Sequence, residues 1–289
     1  MFSDPRLQTS VGRIESSLLD LGEFSEYFRD HKEPDGLTIF IPNWNHRAFL
    51  PRSLRSAMDS LRYLGKEGFS GEILVIDDAS RDGSQKFLRS VQALYNEPRL
   101  RTICLNKNLG LTRLRNLALL SSKHRYVCLL DADNELIPEN LPMFMRGTIE
   151  TDAALLYGNL ILKEGREAKT TVSDIKPTWF LVDQNYVDAF AIVNAERLLR
   201  IGGYSRPHPY LPDDWEMNVH LIAEEETIVF LPAVFGYYHR QPLSANTENA
   251  PHRETSMAAL RRIYGQSGPR GWDSERVGRM YHPDIGFID

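Results

Sequence analysis

Apolar, strand-like runs alternate with helix-like stretches along the first half of the chain, and this alternation restricts the possible folds more than any other feature. The runs are LTIFI (37–41), EILVI (72–76), LRTICL (100–105) and YVCLL (126–130). Between them, an apolar stripe from Leu50 to Leu64, a stretch at 83–95 and another at 112–120 predict helices. Uninterrupted apolar runs are typical of parallel strands covered on both faces. The first half is therefore predicted to be an α/β domain with a mostly parallel sheet.

Polar clusters follow three of these runs. They are Pro42-Asn43-Trp44-Asn45, Asp77-Asp78 and Asp131-Ala132-Asp133. The carboxyl ends of parallel strands lie at one edge of a sheet, where ligands bind. Two carboxylates beside a buried strand need compensation, which favours a divalent cation holding a phosphorylated ligand. The alternative for the third cluster alone is a strand-ending turn, because Asp and Asn favour turns.

The second half has a mixed pattern. Helices are predicted at 139–149, 195–200, 213–223 and 253–264, and strands at 154–162 and 227–231, with a polar loop or hairpin at 163–171. Gly202-Gly203 is a suitable end for the helix at 195–200. In the first 36 residues, helical spacing predicts an amphipathic helix, formed by Ile14, Leu18, Leu21, Phe24 and Phe28. Beyond about 245 the chain is expected to be irregular, apart from the helix at 253–264.

Composition excludes several classes of protein. A formal net charge of −5 and a pI near 5.9 argue against nucleic acid as a partner. The only cysteines, Cys104 and Cys128, lie in strand-like runs and are expected to be reduced, and no zinc-type spacing is present. We find no secretory signal and no run long enough to span a membrane. The expected location is the cytoplasm, with peripheral attachment to a membrane left open.

Five segments in order resemble family 2 glycosyltransferases of the GT-A fold. TIFIPNWN resembles the family's "IPTYN", VIDDASRDGS its "VDDGSxDGT", and NKNLGLTRLRNLAL its "NxGxxxARNxG". LLDADNELIP resembles the DXD motif, and RIGGYS followed by PDDWEMNVHL resembles "GGF…EDxDLxxRL". The resemblance covers residues 37–243, with a nucleotide-binding half at 37–135 and an acceptor or catalytic half at 136–243. Residues 1–36 and 244–289 are then terminal extensions, through which a homodimer is a further expectation.

The resemblance implies a donor site for a nucleotide-diphosphate sugar. Asp78 corresponds to the carboxylate that accepts from uracil N3–H, which favours a UDP-sugar. Pro42 and Trp44 correspond to residues against the base. Arg115 is expected to contact the diphosphate or to brace the DXD loop, and Arg113 competes for this role.

The same resemblance implies a Mn²⁺ or Mg²⁺ cofactor. Asp133 would bind the ion, and Asp131 would contact the ribose or the ion's water. Family members often carry "YRxHxxS", but this chain has Gln241 where the His is expected, in YYHRQPLSAN. His239, two residues earlier, is the candidate for a third ligand; the alternative is that no histidine binds the ion.

By resemblance the reaction inverts the anomeric carbon and needs a base for the acceptor hydroxyl. Asp214 is the expected base. The alternative is that Asp213 and Asp214 only cap the following helix, and both readings hold if Asp213 caps it and Asp214 is the base. Asp213, Trp215 and Glu216 are expected to contact the acceptor or donor sugar. The acceptor is a glycan, a lipid-linked sugar or a small molecule.

Two alternatives stay open, a relative that binds a nucleotide sugar without turnover and a sugar-phosphate nucleotidyltransferase. The second usually carries a glycine-rich loop after its first strand, whereas this chain has PNWNHRAF. An oxidoreductase would need GxGxxG at the same place. A receiver-type signalling domain would not explain the chain beyond residue 130.

Overall fold

The computed structural model describes residues 8, 13, 14, 33–95, 99–165, 167–171, 181–240, 250–265 and 279–288. The predicted amphipathic helix of the first 36 residues therefore lies largely outside the described residues. Ile14 is described and is buried in the main core.

The first half forms three consecutive βα units followed by a fourth strand. The elements are β1 (Glu33–Asn43), α1 (Leu50–Lys66), β2 (Ser70–Asp77), α2 (Ser84–Tyr95), β3 (Leu100–Cys104), α3 (Leu111–Ser121) and β4 (His124–Leu129). Their strands lie in the order β3-β2-β1-β4, and all three pairings are parallel. The order of strands reverses between β1 and β4, so the carboxyl ends of these two strands open a crevice.

The second half extends the same sheet with mixed pairings. Its elements are β5 (Glu135–Leu136), α4 (Leu141–Thr151), β6 (Leu155–Glu164), β7 (Glu167–Thr171), β8 (Ile192–Asn194), α5 (Ala195–Arg200), α6 (Asp213–Ala223), β9 (Ile228–His239), a 3₁₀ turn (Ala250–His252), α7 (Arg253–Tyr264), β10 (Arg279–His282) and β11 (Gly286–Ile288). The full order is β11-β10-β9-β6-β8-β4-β1-β2-β3; β5 pairs with β9, and β7 with β6. β4 and β6 are both antiparallel to β8.

Two apolar layers cover the two faces of the sheet. Along β1, Phe40 packs into the layer that includes α3, whereas Ile39 and Ile41 pack into the layer that includes α1. This follows from the strand period of two, because successive side chains point to opposite faces. Among the described residues, no helix is long and apolar enough to cross a membrane.

Most predicted elements are present, but two expectations were wrong. The strand predicted at 227–231 continues to His239, because its second part pairs in parallel with β6 across register shifts. The region beyond 245 is not irregular apart from one helix, because β10 pairs in parallel with β9 and β11 pairs with β10. Strands of four and three residues are too short to show a sequence period.

The proposed domain limits stay predictions. The sheet nevertheless crosses both limits, since β1 begins at Glu33 and β10 lies beyond residue 244. Backbone hydrogen bonds that complete one sheet are what join these segments to the central domain.

Candidate functional site

The three polar clusters lie at one edge of the sheet, as the parallel arrangement requires. The backbone N–H of Asp78 donates to Asn43 O at 2.8 Å, and that of Leu130 donates to Phe40 O at 2.9 Å. These bonds hold the segment after β2 and the segment before Asp131 against β1. The site is thus built at the crevice between β1 and β4.

Asp77 has a structural role. Its carboxylate is fully buried and accepts from Asn43 Nδ2 at 2.6 Å, Ser80 N at 3.0 Å and Gln85 Nε2 at 2.9 Å. Asn43 Nδ2 also lies 3.1 Å from Ser80 Oγ. A carboxylate with three internal donors is committed to joining β1, β2 and α2, which leaves Asp78 as the acid of this pair nearer a ligand role.

Asp78 follows β2, and its carboxylate lies against the loop that precedes α3. Its two carboxylate oxygens accept from the backbone N–H groups of Leu109, at 2.7 Å, and Gly110, at 2.9 Å. Burial raises the pKa of Asp78, and the two backbone bonds oppose that increase. Each oxygen retains a second lone pair, so the carboxylate organises the α3 loop and still has acceptor capacity.

Trp44 presents its ring to solvent at the rim, whereas Pro42 is half-buried in β1. The backbone nearby adopts left-handed conformations, with φ of +57° at Asn45 and +59° at Ala79. Such conformations are uncommon without glycine and are retained where surrounding bonds impose them. Here Asn45 exchanges bonds with the 80–81 turn, donating from its N–H to Ser80 Oγ and accepting from Arg81 N.

The segment after β4 carries unfavourable negative charge. Burial, followed by repulsion from Asp133, raises the pKa of Asp131 to about 7, although Arg115 opposes this. Burial also raises the pKa of Asp133, against attraction from His46, Arg52 and other cations. Arg52 donates to the backbone carbonyl of Asp133. Burial and repulsion disfavour the ionised forms of Asp131 and Asp133, and a bound cation would offset both effects.

The predicted metal ligands fit an ion that also binds substrate phosphate. In the part of the chain that the structure describes, no group of three His, Cys, Asp or Glu side chains is placed to hold a metal. Mg²⁺ and ions like it use one or two carboxylates and complete their shell with water and substrate phosphates. Asp131 and Asp133 meet that requirement without a third protein ligand.

His239 is engaged by another residue. Its Nε2 lies 2.5 Å from Glu135 Oε1, and its backbone N–H donates to Asn134 Oδ1 at 3.0 Å. Burial lowers the pKa of His239 despite Glu135. The charge of His239 affects the pKa of Asp133. The role of His239 as a third metal ligand stays a prediction, and Nδ1 is the ring nitrogen that Glu135 leaves for it.

Arg115 joins the two halves of the site. Its Nη1 lies 2.6 Å from Asp213 Oδ1, and both side chains are buried. Burial opposes the charge of Arg115, but Asp213 and neighbouring acids more than offset this and raise its pKa. The next residue, Asn116, donates to Tyr204 O and accepts from Tyr204 N, at 2.9 and 2.8 Å.

Asp213 does not cap α6 as expected. The helix has Pro212 at its N-cap position and no side-chain cap bond, because the carboxylate of Asp213 is turned to Arg115. The expected capping was therefore wrong, and an ion pair across the two halves takes its place. A contact between Arg115 and a diphosphate stays a prediction. The bond that Arg115 makes to Asp213 holds the start of α6 and not the DXD loop.

Asp214 has a side-chain donor of its own and a raised pKa. Its Oδ2 accepts from Asn185 Nδ2 at 2.9 Å, and burial raises its pKa, with Arg115 opposing. The charge of Asp214 contributes to the raised pKa of Asp131. A raised pKa suits a general base, and that role of Asp214 stays a prediction.

Trp215 and Glu216 point into the protein. Both are buried: Trp215 Nε1 donates to Leu181 O at 2.5 Å, and Tyr264 Oη donates to Glu216 Oε1 at 2.5 Å. Their contact with a sugar stays a prediction to which these internal bonds lend no support.

Sequence reasoning missed Asp188. Burial raises its pKa to about 6; the N–H of Phe190 and the charge of Arg115 oppose that rise, whereas Asp214 and Asp133 add to it. Asp188 lies in the segment 181–190, and its Oδ1 accepts from Phe190 N at 2.8 Å. The sequence could not identify Asp188 as a site residue, because a single Asp in an irregular segment belongs to no motif and no strand or helix period predicts where its side chain points.

Sequence comparison finds a family model and several relatives that match the chain. Residues 38–195 match the family model "Glycosyl transferase family 2". The succinoglycan biosynthesis protein ExoO of Rhizobium meliloti is 27% identical over 129 residues, which are 45% of this chain and 34% of that protein. The chain spans less than half the length of the curated relatives it matches.

Solved structures share the fold. S. aureus TarS in complex with UDP-GlcNAc superposes with a TM-score of 0.59 at 16% identity, covering 73% of this chain and 60% of that one. The mannosyltransferase PcManGT from Pyrobaculum calidifontis, in complex with GDP-Man and Mn²⁺, has a TM-score of 0.59 at 14% identity, covering 88% and 75%. These matches confirm the expected GT-A fold. With a family match over more than half of its length, the chain belongs to glycosyl transferase family 2.

Proposed function

We propose that the chain transfers a sugar from a nucleotide-diphosphate sugar, with a UDP-sugar favoured, to an acceptor hydroxyl with inversion. One observation carries the proposal: the buried ion pair of Arg115 and Asp213, 2.6 Å long and 98 positions apart in the chain, joins α3 to the start of α6, where Asp214 lies. The loop before α3 is bonded to Asp78 at the carboxyl end of β2, so this pair links α6 to the edge of the sheet where ligands bind.

The donor is proposed to lie across the carboxyl ends of β1, β2 and β4. Asp78 would accept from the base through its remaining lone pairs, and the exposed ring of Trp44 would stack on the base beside Pro42. An acceptor-only group fits the N3–H of uracil. The two solved structures compared above hold UDP-GlcNAc and GDP-Man, so the proposed contact of Asp78 is what favours uridine.

Asp133, with Asp131, would hold Mn²⁺ or Mg²⁺. When bound, such an ion neutralises the negative charge that develops on the diphosphate as the glycosidic bond breaks. The excess of carboxylate charge here supports the assignment, and so does the Mn²⁺ in the complex of PcManGT. Arg115 keeps positive charge beside the same carboxylates.

Asp214 is proposed to receive the proton of the acceptor hydroxyl. The acceptor oxygen forms its bond to the anomeric carbon while the bond from that carbon to the diphosphate oxygen breaks. The electron pair of the broken bond leaves with the nucleoside diphosphate. Burial raises the pKa of Asp214, which makes it a stronger base than an exposed carboxylate.

The acceptor is proposed to be a glycan, a lipid-linked sugar or a small molecule with a free hydroxyl. The name of ExoO refers to succinoglycan biosynthesis, which supports synthesis of a polysaccharide or another glycan. A relative that binds nucleotide sugar without turnover is the alternative, and the presence of Asp214 with its own donor at Asn185 disfavours it.

The test begins with thermal unfolding in the presence of UDP, GDP, UDP-GlcNAc and GDP-mannose, each with and without Mn²⁺. Ligand that binds only the folded state raises its stability by mass action, so we expect a shift that needs the ion. Stabilisation that is the same without Mn²⁺ would refute the assignment of Asp133.

Asp214→Asn then tests the base by hydrolysis of the selected donor. We expect unchanged donor affinity and a turnover lower by about 10²–10⁴-fold, the usual contribution of a general base. Near-normal turnover in this variant would show that the base is another residue.

A further inference from the structure

Asn185 connects Asp214 to the interior of the protein. Its Nδ2 donates to Asp214 Oδ2 at 2.9 Å, and its Oδ1 accepts from Asn218 Nδ2 at 3.1 Å. Asn218 is buried and also donates to Val187 O at 3.0 Å. Asp214 and Asn218 are four residues apart on α6 and thus share one face of the helix. Asn185 bridges this face.

The direction of these bonds is fixed by chemistry. Val187 O can only accept, so Asn218 must turn its amide nitrogen to that carbonyl and to Asn185. Asn185 must then offer its oxygen to Asn218, which directs its nitrogen to Asp214. An ionised carboxylate can only accept, so every member of the chain has a compatible partner.

The loop that carries Asn185 is held by the C-terminal helix. Arg253 Nη2 donates to Asp183 O at 3.0 Å, and Arg261 Nη2 lies 2.5 Å from Asp183 Oδ1. Both arginines belong to α7, which also reaches α6 through Tyr264 and Glu216. The loop start is therefore anchored two residues before Asn185.

We propose that Asn185 is a positioning residue, which holds one oxygen of Asp214 so that the other faces the acceptor hydroxyl. Among the described residues, Asn185 is the side chain that donates to Asp214. The inference rests on the proposed function, in which Asp214 is the base. A carboxylate that rotated freely would spend less time in the geometry that proton transfer requires.

Two variants of Asn185 separate positioning from folding. Asn185→Asp has the same shape and still accepts from Asn218, but it replaces the donor to Asp214 with a like charge. Asn185→Ala removes both bonds. The probe is hydrolysis of UDP-GlcNAc or GDP-mannose, whichever stabilises the protein more.

For Asn185→Ala we expect kcat to fall by about tenfold or more, the usual effect of one hydrogen bond to a charged group, with KM for the donor unchanged. Asn185→Asp should lower kcat further, because it places a like charge beside Asp214. Asn140→Ala is the matched control, because it removes a half-buried amide bond, to Val234 O at 2.8 Å, and Asn140 has no part in the site. Its kcat should equal that of the unaltered protein.

The double variant Asn185→Ala with Asp214→Asn gives the decisive comparison. If Asn185 acts through Asp214, its removal has no further effect once the base is gone. Two results would overturn the inference and leave the proposed function intact. One is that Asn185→Ala lowers kcat by the same factor in the Asp214→Asn background as in the unaltered protein. The other is a kcat within twofold of normal in both Asn185 variants. High turnover of Asp214→Asn by itself would instead overturn the proposed base, and the inference with it.

Discussion

The ion pair between Arg115 and Asp213 gives a prediction whose magnitude follows from the structure. The two groups lie 2.6 Å apart, and the side chains are 5% and 9% exposed. Arg115→Met keeps the length of the side chain but removes the charge, which leaves Asp213 buried beside Asp214 without its partner. Removal of one partner from a buried pair typically destabilises a protein by about 3–5 kcal/mol. We expect a loss of that size in the free energy of unfolding.

Urea unfolding, extrapolated linearly to water, measures this loss. Arg113→Met is the matched control, because it makes the same substitution two residues away on the exposed face of α3. Exposed substitutions usually change stability by about 0.5 kcal/mol or less. Arg115→Met combined with Asp213→Asn should be less destabilised than the sum of the single variants, with an interaction of about 0.5–3 kcal/mol. A loss below about 1 kcal/mol for Arg115→Met would refute the view that this pair joins the two halves.

Two further predictions concern other buried groups. Asp78→Asn should weaken the binding of UDP by about tenfold or more in calorimetry, because it removes a charged acceptor from the base and leaves a donor against Leu109 or Gly110; an unchanged Kd would place the base elsewhere. Burial lowers the pKa of His124, despite Glu72 and Glu33, so the unfolded chain binds a proton at a higher pH than the folded protein. The contribution of neutral His124 to the free energy of unfolding should be fully present above about pH 6.5, the pKa of histidine in the unfolded chain, and should be lost as the pH falls toward the lower pKa of His124 in the folded protein. A His124→Asn variant with the same pH dependence of stability would contradict this.

The elements of the first half could be predicted because their signals are local. Each strand of the βαβ units is an uninterrupted apolar run, and each helix has an apolar stripe, so β1 to β4 and α1 to α3 lie where the sequence predicts them. The short strands β10 and β11 could not be predicted. Their hydrogen-bond partners lie in β9, about fifty residues earlier, or in each other across a turn.

The site divides in the same way. Asp78, Asp131, Asp133 and Asp214 stand in motifs whose order is recognisable, so they were predicted from the sequence. The loop residues Asp188 and Asn185 were not, because only the folding of 181–190 brings Asn185 into contact with Asp214 and the charge of Asp188 near it. Trp215 and Glu216 are buried and bonded inside the protein, which their place beside Asp214 in the sequence does not show, and their contact with a sugar stays a prediction.

The sequence by itself determined the α/β class, the edge of the sheet that carries the polar clusters and the family. Strand period, helix period and motif order are properties of short segments, and these need no knowledge of distant partners. Only the tertiary structure decided that Asp77 is structural, that Asp213 pairs with Arg115 instead of capping α6, and that Asn185 holds Asp214. A buried polar group must find a partner wherever the fold supplies one, and that partner is not encoded in neighbouring positions.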